Sequence, residues 1–206
     1  MPFNKPSERK KSAVKTAAIL NGAMQEFLAN GYAATSMDRV AAAAGVSKAT
    51  VYSHFHDKSS LFAALIQQLA EEKFRATSFD LRDESTMKGS PRDLLSQLAK
   101  EVLDEAACDP QFCEFMRLII GESGRFPELS RPYLENVAKP LLDGLTRYLA
   151  SCSELNLEDP EASARIFMGT LTYFVMLQRV LGGAELMPME SDRIITNLVD
   201  LIAPVN

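Results

Sequence analysis

Two short helical stretches separated by a tight turn occupy residues 35–54, and this pattern constrains the fold more than any other part of the sequence. The first stretch has one apolar face at helical spacing, formed by Met37, Val40, Ala41 and Ala44. Gly45 can make the sharp turn, and Ser47 has the chemistry of a helix cap. Helices this short are not stable alone. The pair must therefore dock on a neighbouring helix.

The second of these helices has two different sides. Val46 and Val51 are placed as a hydrophobic staple, and Val51 and Phe55 share the inward face. The other positions face outward or to the side, are small, hydrogen-bonding or cationic, and include no acid: Lys48, Ala49, Thr50, Tyr52, Ser53 and His54. Such a helix suits insertion into a DNA major groove between two phosphate backbones.

Charge is distributed unevenly along the 206 residues, whose formal net charge is −5. Residues 1–58 carry eight Lys and Arg against four acids, a net charge of +4, which leaves −9 for the remainder. A basic first quarter on an acidic body is expected where one end of a protein meets an anionic partner. The hydrophobic fraction of 47% is sufficient for a core and excludes the composition of a disordered chain.

The whole chain is predicted to be all-α, with about nine helices joined by short breaks and no strand alternation or internal repeat. We expect a basic flexible arm over 1–13 and a helix-turn-helix domain over 14–66, whose first helix covers 14–30 and ends at Asn30 and Gly31. A helical body follows over 67–206. The longest uncharged apolar stretch, residues 166–178, is too short to span a bilayer, which needs about 20 residues.

The N-terminal pattern resembles the tetracycline-repressor (TetR) family of one-component transcriptional regulators. The resemblance covers about the first 70 residues and lies in these positions at fixed spacing: Gly31, Tyr32, Thr35, Ser36, Val40, Ala41, Ala44, Gly45, Val46, Ser47, Thr50, Val51, Tyr52, Phe55, Lys58 and Leu61. Residues 116–129 also look like the ligand domain of the AefR-related subgroup.

The resemblance implies a role for each matching residue. It implies phosphate contacts from one group: Thr35 or Ser36, Ser47, Thr50, Tyr52 and Lys58. It implies approach to base edges by a second group: Lys48, Ala49, Ser53 and His54. It also implies an all-α homodimer on double-stranded DNA with a small-molecule effector bound in the C-terminal domain.

The acidic body offers apolar residues for a pocket and an interface, and both sets could equally be plain core. The candidate effector pocket comprises Phe115, Met116, Ile119, Phe126, Phe167, Leu171 and Phe174. The helix predicted over 160–181 is apolar on all sides, so one side is expected against the core and another against a partner subunit. With a final helix over 191–202 it gives a candidate dimer interface of Tyr173, Met176, Leu177, Val180, Ile194, Leu198 and Leu201.

Two other function classes are alternatives to a ligand-responsive repressor. A thiol-based redox sensor would use Cys108 and Cys113, although three sparse cysteines read by default as reduced cytoplasmic thiols. An enzyme is disfavoured, because the two histidines, His54 and His56, lie together at the end of the second short helix and no nucleophile elbow or phosphate loop is present. The sequence therefore predicts a cytoplasmic regulator with no cofactor, no metal site and no membrane partner.

Overall fold

The computed structural model describes the backbone of residues 6–76 and 89–204, and the side chains in these ranges other than those of residues 6–11, 73–76 and 105–108. Every regular element within this part of the chain is helical, as predicted. Nine of these helices have at least seven residues, and α7 is a single turn. The elements are α1 (Pro6–Ala34), α2 (Met37–Ala43), α3 (Lys48–His54), α4 (Lys58–Ala76), α5 (Pro91–Cys108), α6 (Pro110–Ser123), α7 (Ser130–Tyr133), α8 (Lys139–Ser151), α9 (Pro160–Val175) and α10 (Ser191–Ile202).

The chain divides into two compact units. The N-terminal unit comprises the described residues up to Ala70 together with Leu118–Tyr133. The C-terminal unit comprises the described residues of Glu71–Arg117 and those from Leu134 onward. Helix α6 is therefore shared between the units. The predicted division into 14–66 and 67–206 does not anticipate that a segment from the second half joins the first unit.

Helix α1 begins earlier than the sequence predicted. The structure gives helix from Pro6, so residues 6–13 are not a separate arm. Proline is tolerated in the first turn, where its missing N–H has no helical partner, and the Lys and Arg residues that follow favour helix. The regular helix is interrupted at Gly31, whose φ of +74° is accessible to glycine at little cost. The sequence predicts the end of the first helix here; the break is present at Gly31, but α1 continues to Ala34.

The close crossing of α1 and α2 depends on a glycine. Helix α1 packs against α2, and α2 packs against α3. A β carbon added to Gly22 would lie 2.8 Å from the backbone nitrogen of Ala44 and 3.1 Å from its Cα. Only a residue without a side chain allows this separation between the two backbones.

Aromatic rings fill the core of the N-terminal unit. Phe27 and Phe62 are buried, at 0% and 1% exposure. The rings of Phe27, Tyr32 and Phe62 lie with centroids 5.3–5.6 Å apart. Phe126, from the segment Leu118–Tyr133, adds a fourth ring 5.1 Å from that of Tyr32. This segment is therefore part of the same core.

The C-terminal unit has its own core, formed by α5, α8, α9 and α10. Its most deeply buried large side chains are Leu95, Leu98, Leu145, Leu149, Phe167 and Leu171. One side of α9 is buried there, whereas Ile166 and Tyr173 on another side are 59% and 65% exposed in the single chain. After Val175 the helix continues as a π turn over Met176–Val180 rather than as the regular helix predicted to 181.

Candidate nucleic-acid interface

Helices α2 and α3 are capped as their sequence indicates. The Ser36 hydroxyl accepts a hydrogen bond from the backbone N–H of Arg39 at 3.3 Å. Gly45 makes the turn with a φ of +64°. The Ser47 hydroxyl then accepts from the backbone N–H of Thr50 at 3.1 Å and lies 2.8 Å from the Thr50 hydroxyl. These bonds satisfy amides that the first turn of each helix leaves without a partner.

Helix α3 buries one side and presents the other. Val51 is fully buried and Phe55 is 8% exposed, so these two side chains dock the helix. The opposite side is accessible at Lys48, Ala49, Tyr52 and Ser53, and Tyr52 is 45% exposed. We refer to α3 as the reading helix, because its accessible side chains match the arrangement expected for major-groove contact.

Lys48, the lysine of the reading helix, forms an exposed ion pair with Asp38. The Lys48 ammonium lies 2.8 Å from an Asp38 carboxylate oxygen and 5.8 Å from the centre of the Tyr52 ring. The hydrogen bond to Asp38 raises the pKa of Lys48. Because both side chains are exposed, the pair contributes little stability, and Lys48 can exchange Asp38 for another acceptor.

His54 is less accessible than predicted. Its Nδ1 lies 3.0 Å from the Thr16 hydroxyl of α1, and the ring is partly buried. This contact ties the C-terminal end of the reading helix to α1. The sequence does not reveal Thr16 as a contributor, because the two residues are 38 positions apart.

The family resemblance implies a phosphate contact from Thr35 or Ser36, and the structure shows that the two hydroxyls differ in accessibility. Thr35 is 3% exposed, and its hydroxyl donates within reach of the carbonyls of Gly31 at 2.8 Å and Glu26 at 3.0 Å. Ser36 is exposed at the start of α2. Of the two hydroxyls, only that of Ser36 is accessible to DNA in this conformation.

The Lys58 side chain binds the backbone at the C-terminal end of α1. Its ammonium donates to the backbone carbonyls of Tyr32 at 2.6 Å, Thr35 at 2.9 Å and Ala33 at 3.3 Å. Immediately before it, Asp57 accepts a hydrogen bond from the backbone N–H of Ser60 at 2.7 Å, which caps α4 as predicted and lowers the pKa of Asp57.

The candidate pocket residues are divided between the two units. Ile119 and Phe126 belong to the N-terminal unit, whereas Phe115, Met116, Phe167, Leu171 and Phe174 belong to the C-terminal unit. Phe167 and Leu171 are fully buried in the core. Phe174 lines a cavity of about 250 Å³. That cavity lies between α5, α9 and the start of α10, and its other lining residues include Leu103, Asp104, Val175, Gln178, Arg179 and Glu190.

The candidate interface residues differ in accessibility. Tyr173 is 65% and Leu201 is 80% exposed, and Met176, Leu177 and Ile194 are partly buried. Val180 and Leu198 are buried within their own chain, at 9% and 2% exposure. The accessible apolar positions of this set are thus Tyr173 on α9 and Leu201 on α10.

The described cysteines do not have the features of reactive thiols. Cys113 and Cys152 are buried and are not joined in a disulfide, and the side chain of Cys108 lies outside the described residues. Burial raises the pKa of Cys152, which disfavours its thiolate. The redox alternative therefore gains no support.

Among the described residues, no group of three or more His, Cys, Asp and Glu side chains is arranged to hold a metal ion. No helix in this part of the chain has the length and apolarity to cross a bilayer.

Comparisons with family models match both parts of the chain. Residues 19–65 match the model described as bacterial regulatory proteins, tetR family. Residues 93–204 match the AefR-like transcriptional repressor, C-terminal domain. The second match covers more than half of the sequence.

Individual relatives agree with these matches. The HTH-type transcriptional regulator AcrR of Shigella flexneri is 27% identical over 145 residues, which cover 68% of this chain and only 64% of AcrR. The solved structure of the flavonoid-responsive regulator FrrA is 30% identical, covers 91% of this chain and 94% of FrrA, and has a TM-score of 0.72. A TetR-family regulator structure from Mesorhizobium loti is 25% identical, covers 93% and 96% of the two chains, and has a TM-score of 0.74.

Proposed function

Because this chain belongs to the TetR family of DNA-binding transcriptional regulators, we propose that its homodimer represses transcription from a near-palindromic operator and releases the DNA when a small molecule binds the C-terminal unit. The observation that carries the proposal is the capped reading helix, with Val51 and Phe55 buried and Lys48 and Tyr52 accessible. Two such helices would enter successive major grooves about 34–36 Å apart. A regulator of chromosomal DNA would act in the cytoplasm.

Selection of bound duplexes from a random pool tests the proposal directly. We expect a near-palindrome whose half-sites are separated by about 10–10.5 base pairs or a multiple of that spacing. The double variant K48A/Y52A should lose most of its affinity for the selected duplex, because it removes the exposed cation and ring of the reading helix. K100A, which removes an exposed lysine of α5, is the control and should bind like the wild type. Unchanged affinity of the double variant would refute the assignment of the reading helix.

A homodimer is supported by the apolar side chains that α9 and α10 leave exposed. Leu201 is 80% exposed on α10, and a charge placed in a subunit interface would be left without a partner after desolvation. We therefore expect L201E to shift the protein from dimer to monomer, measured by chromatography with light scattering at micromolar concentration. T196E, at an exposed position about 140° around the same helix, is the control and should remain dimeric. A wild-type monomer would count against the proposal.

An apolar or amphipathic effector is supported by the cavity of about 250 Å³ in the C-terminal unit. Leu103, Phe174 and Val175 offer apolar contacts, while Asp104, Gln178 and Arg179 offer polar ones. FrrA is described as flavonoid-responsive, so flavonoids are the first compounds to screen by thermal shift. An effector should raise the unfolding temperature and weaken binding to the selected duplex. A coupling of about 1–3 kcal/mol would change DNA affinity about 5–150-fold.

A further inference from the structure

The surroundings of Lys58 differ from those of a lysine whose ammonium group is available to bind a DNA phosphate. An ammonium group has three N–H donors and no acceptor. Three backbone carbonyls, those of Tyr32, Ala33 and Thr35, lie 2.6–3.3 Å from Nζ. Each donor therefore has an acceptor within the protein. A phosphate oxygen could bind only by displacing one of these carbonyls.

The position of the ammonium is fixed from other directions too. Nζ lies 4.4 Å from the centre of the Tyr32 ring, within the range of a cation–π interaction. Partial burial lowers the pKa of Lys58, and the Glu122 carboxylate acts in the opposite direction. Glu122 lies on the segment Leu118–Tyr133, in the same unit. The cation thus exchanges part of its water shell for carbonyls and a ring that the fold supplies.

The carbonyls that Lys58 binds stand where α1 ends. Gly31 interrupts α1, so the carbonyls that follow lack the amide partners of a continuous helix. A cation is favourable at such a helix terminus because the carbonyl ends carry partial negative charge. Lys58 is also the first residue of α4. One side chain therefore joins the end of α1 to the beginning of α4.

This junction controls the reading helix through a very short connection. Only residues 55–57 separate the end of α3 at His54 from the beginning of α4 at Lys58. Phe55 is buried and Asp57 caps α4, so the connection has little freedom. Fixing the start of α4 on α1 consequently fixes the direction in which the reading helix leaves the core.

We propose that Lys58 is a positioning residue, which holds the α3–α4 corner on the C-terminal end of α1 and does not bind a DNA phosphate. This inference rests on the proposed DNA-binding function. It departs from the role that the resemblance implies for this position. Loss of the side chain should weaken DNA binding by misplacing the reading helix, without removing an ion pair to the backbone.

The salt dependence of DNA binding distinguishes the two roles. The logarithm of the binding constant falls with the logarithm of salt concentration by about 0.9 for each phosphate that a cation neutralises. We would measure binding of the full-length wild type, K58M, K58Q and the exposed-lysine control K100M to one 40-base-pair duplex over a series of salt concentrations. Circular dichroism would set a temperature at which every variant is folded. Should K58M fail to fold, K58Q supplies the same test, since it is uncharged but keeps two N–H donors.

We expect K58M and K58Q to bind the duplex at least about tenfold more weakly than the wild type, because the hydrogen bonds from the charged ammonium are lost. Their salt slope should equal that of the wild type, because no ion pair with a phosphate is lost. K100M should match the wild type in affinity and slope. K58R should not restore affinity, since a planar guanidinium cannot direct three donors from one nitrogen. A slope reduced by about 0.9, unchanged affinity, or full rescue by K58R would each overturn the proposal. Failure of the wild type itself to bind duplex DNA would instead reject the DNA-binding function.

Discussion

Replacing Gly22 with alanine is expected to destabilise the N-terminal unit by about 1–3 kcal/mol and to weaken DNA binding severely. The added β carbon would meet the Ala44 backbone nitrogen at 2.8 Å and the Ala44 Cβ at 3.0 Å. Backbone atoms cannot turn aside as the end of a flexible side chain can, so α1 and α2 must move apart. Because α3 packs on α2, the reading helix would move with it. Urea unfolding followed by circular dichroism measures the loss of stability. The loss of affinity for the duplex reports the displacement of the reading helix.

The matched control for this change is Gly121, another helical glycine of the same unit. A β carbon added there meets no atom within 4 Å. Alanine has a higher helix propensity than glycine by about 1 kcal/mol, so G121A should leave stability unchanged or increase it. If G22A is also neutral or stabilising, then α1 and α2 do not approach as closely as the structure has them.

Local patterns were sufficient to predict the reading helix. Ser47 caps it, Gly45 makes the turn before it, and Val51 and Phe55 dock it, and all of these roles depend on neighbours within a few positions along the chain. The apolar spacing also predicted an all-helical fold. Such features are readable because hydrogen bonding and packing within a short helix follow fixed sequence intervals.

Contacts between distant residues could not be read in this way. Lys58 and the carbonyl of Tyr32 are 26 positions apart, and the pattern of a basic residue at the start of α4 fits both a phosphate contact and an internal bond. The family resemblance implies a phosphate contact from Thr35 or Ser36, yet the Thr35 hydroxyl binds carbonyls of α1. Gly22 sits inside a helix, where glycine is normally unfavourable. That anomaly is a signal of the close crossing.

The segment Leu118–Tyr133 shows why the boundary between the units was not predicted. The sequence places it in the second half, next to apolar residues that resemble the lining of a pocket. In the structure it belongs to the N-terminal unit, where Phe126 packs on Tyr32 and Glu122 acts on Lys58. Apolar periodicity identifies a buried face but not the element that buries it. A pocket and a core therefore look alike until the partners are known.

Phe27→Ala is expected to lower the free energy of unfolding by about 3–5 kcal/mol, the largest stability loss predicted for the N-terminal unit. The Phe27 side chain is fully buried and touches two rings, those of Tyr32 and Phe62, at 5.6 and 5.3 Å. Removing the ring leaves a cavity between α1 and α4 and withdraws packing support from Tyr32, whose ring lies 4.4 Å from the Lys58 ammonium. Since the chain has no tryptophan, unfolding in urea is best followed by circular dichroism.

Two further variants make the loss in F27A interpretable. F27L retains most of the apolar volume and should be far less destabilised than F27A, because the cost of a core truncation depends on the cavity left behind. V14A alters a residue of the same helix that is 66% exposed, and should change stability by no more than about 0.5 kcal/mol. If the free energy of unfolding of F27A were within about 1 kcal/mol of the wild-type value, the ring could not occupy the packed interior that the structure assigns to it. Helices α1 and α4, and with them the corner that directs the reading helix, would then have to be held together by something other than this aromatic core.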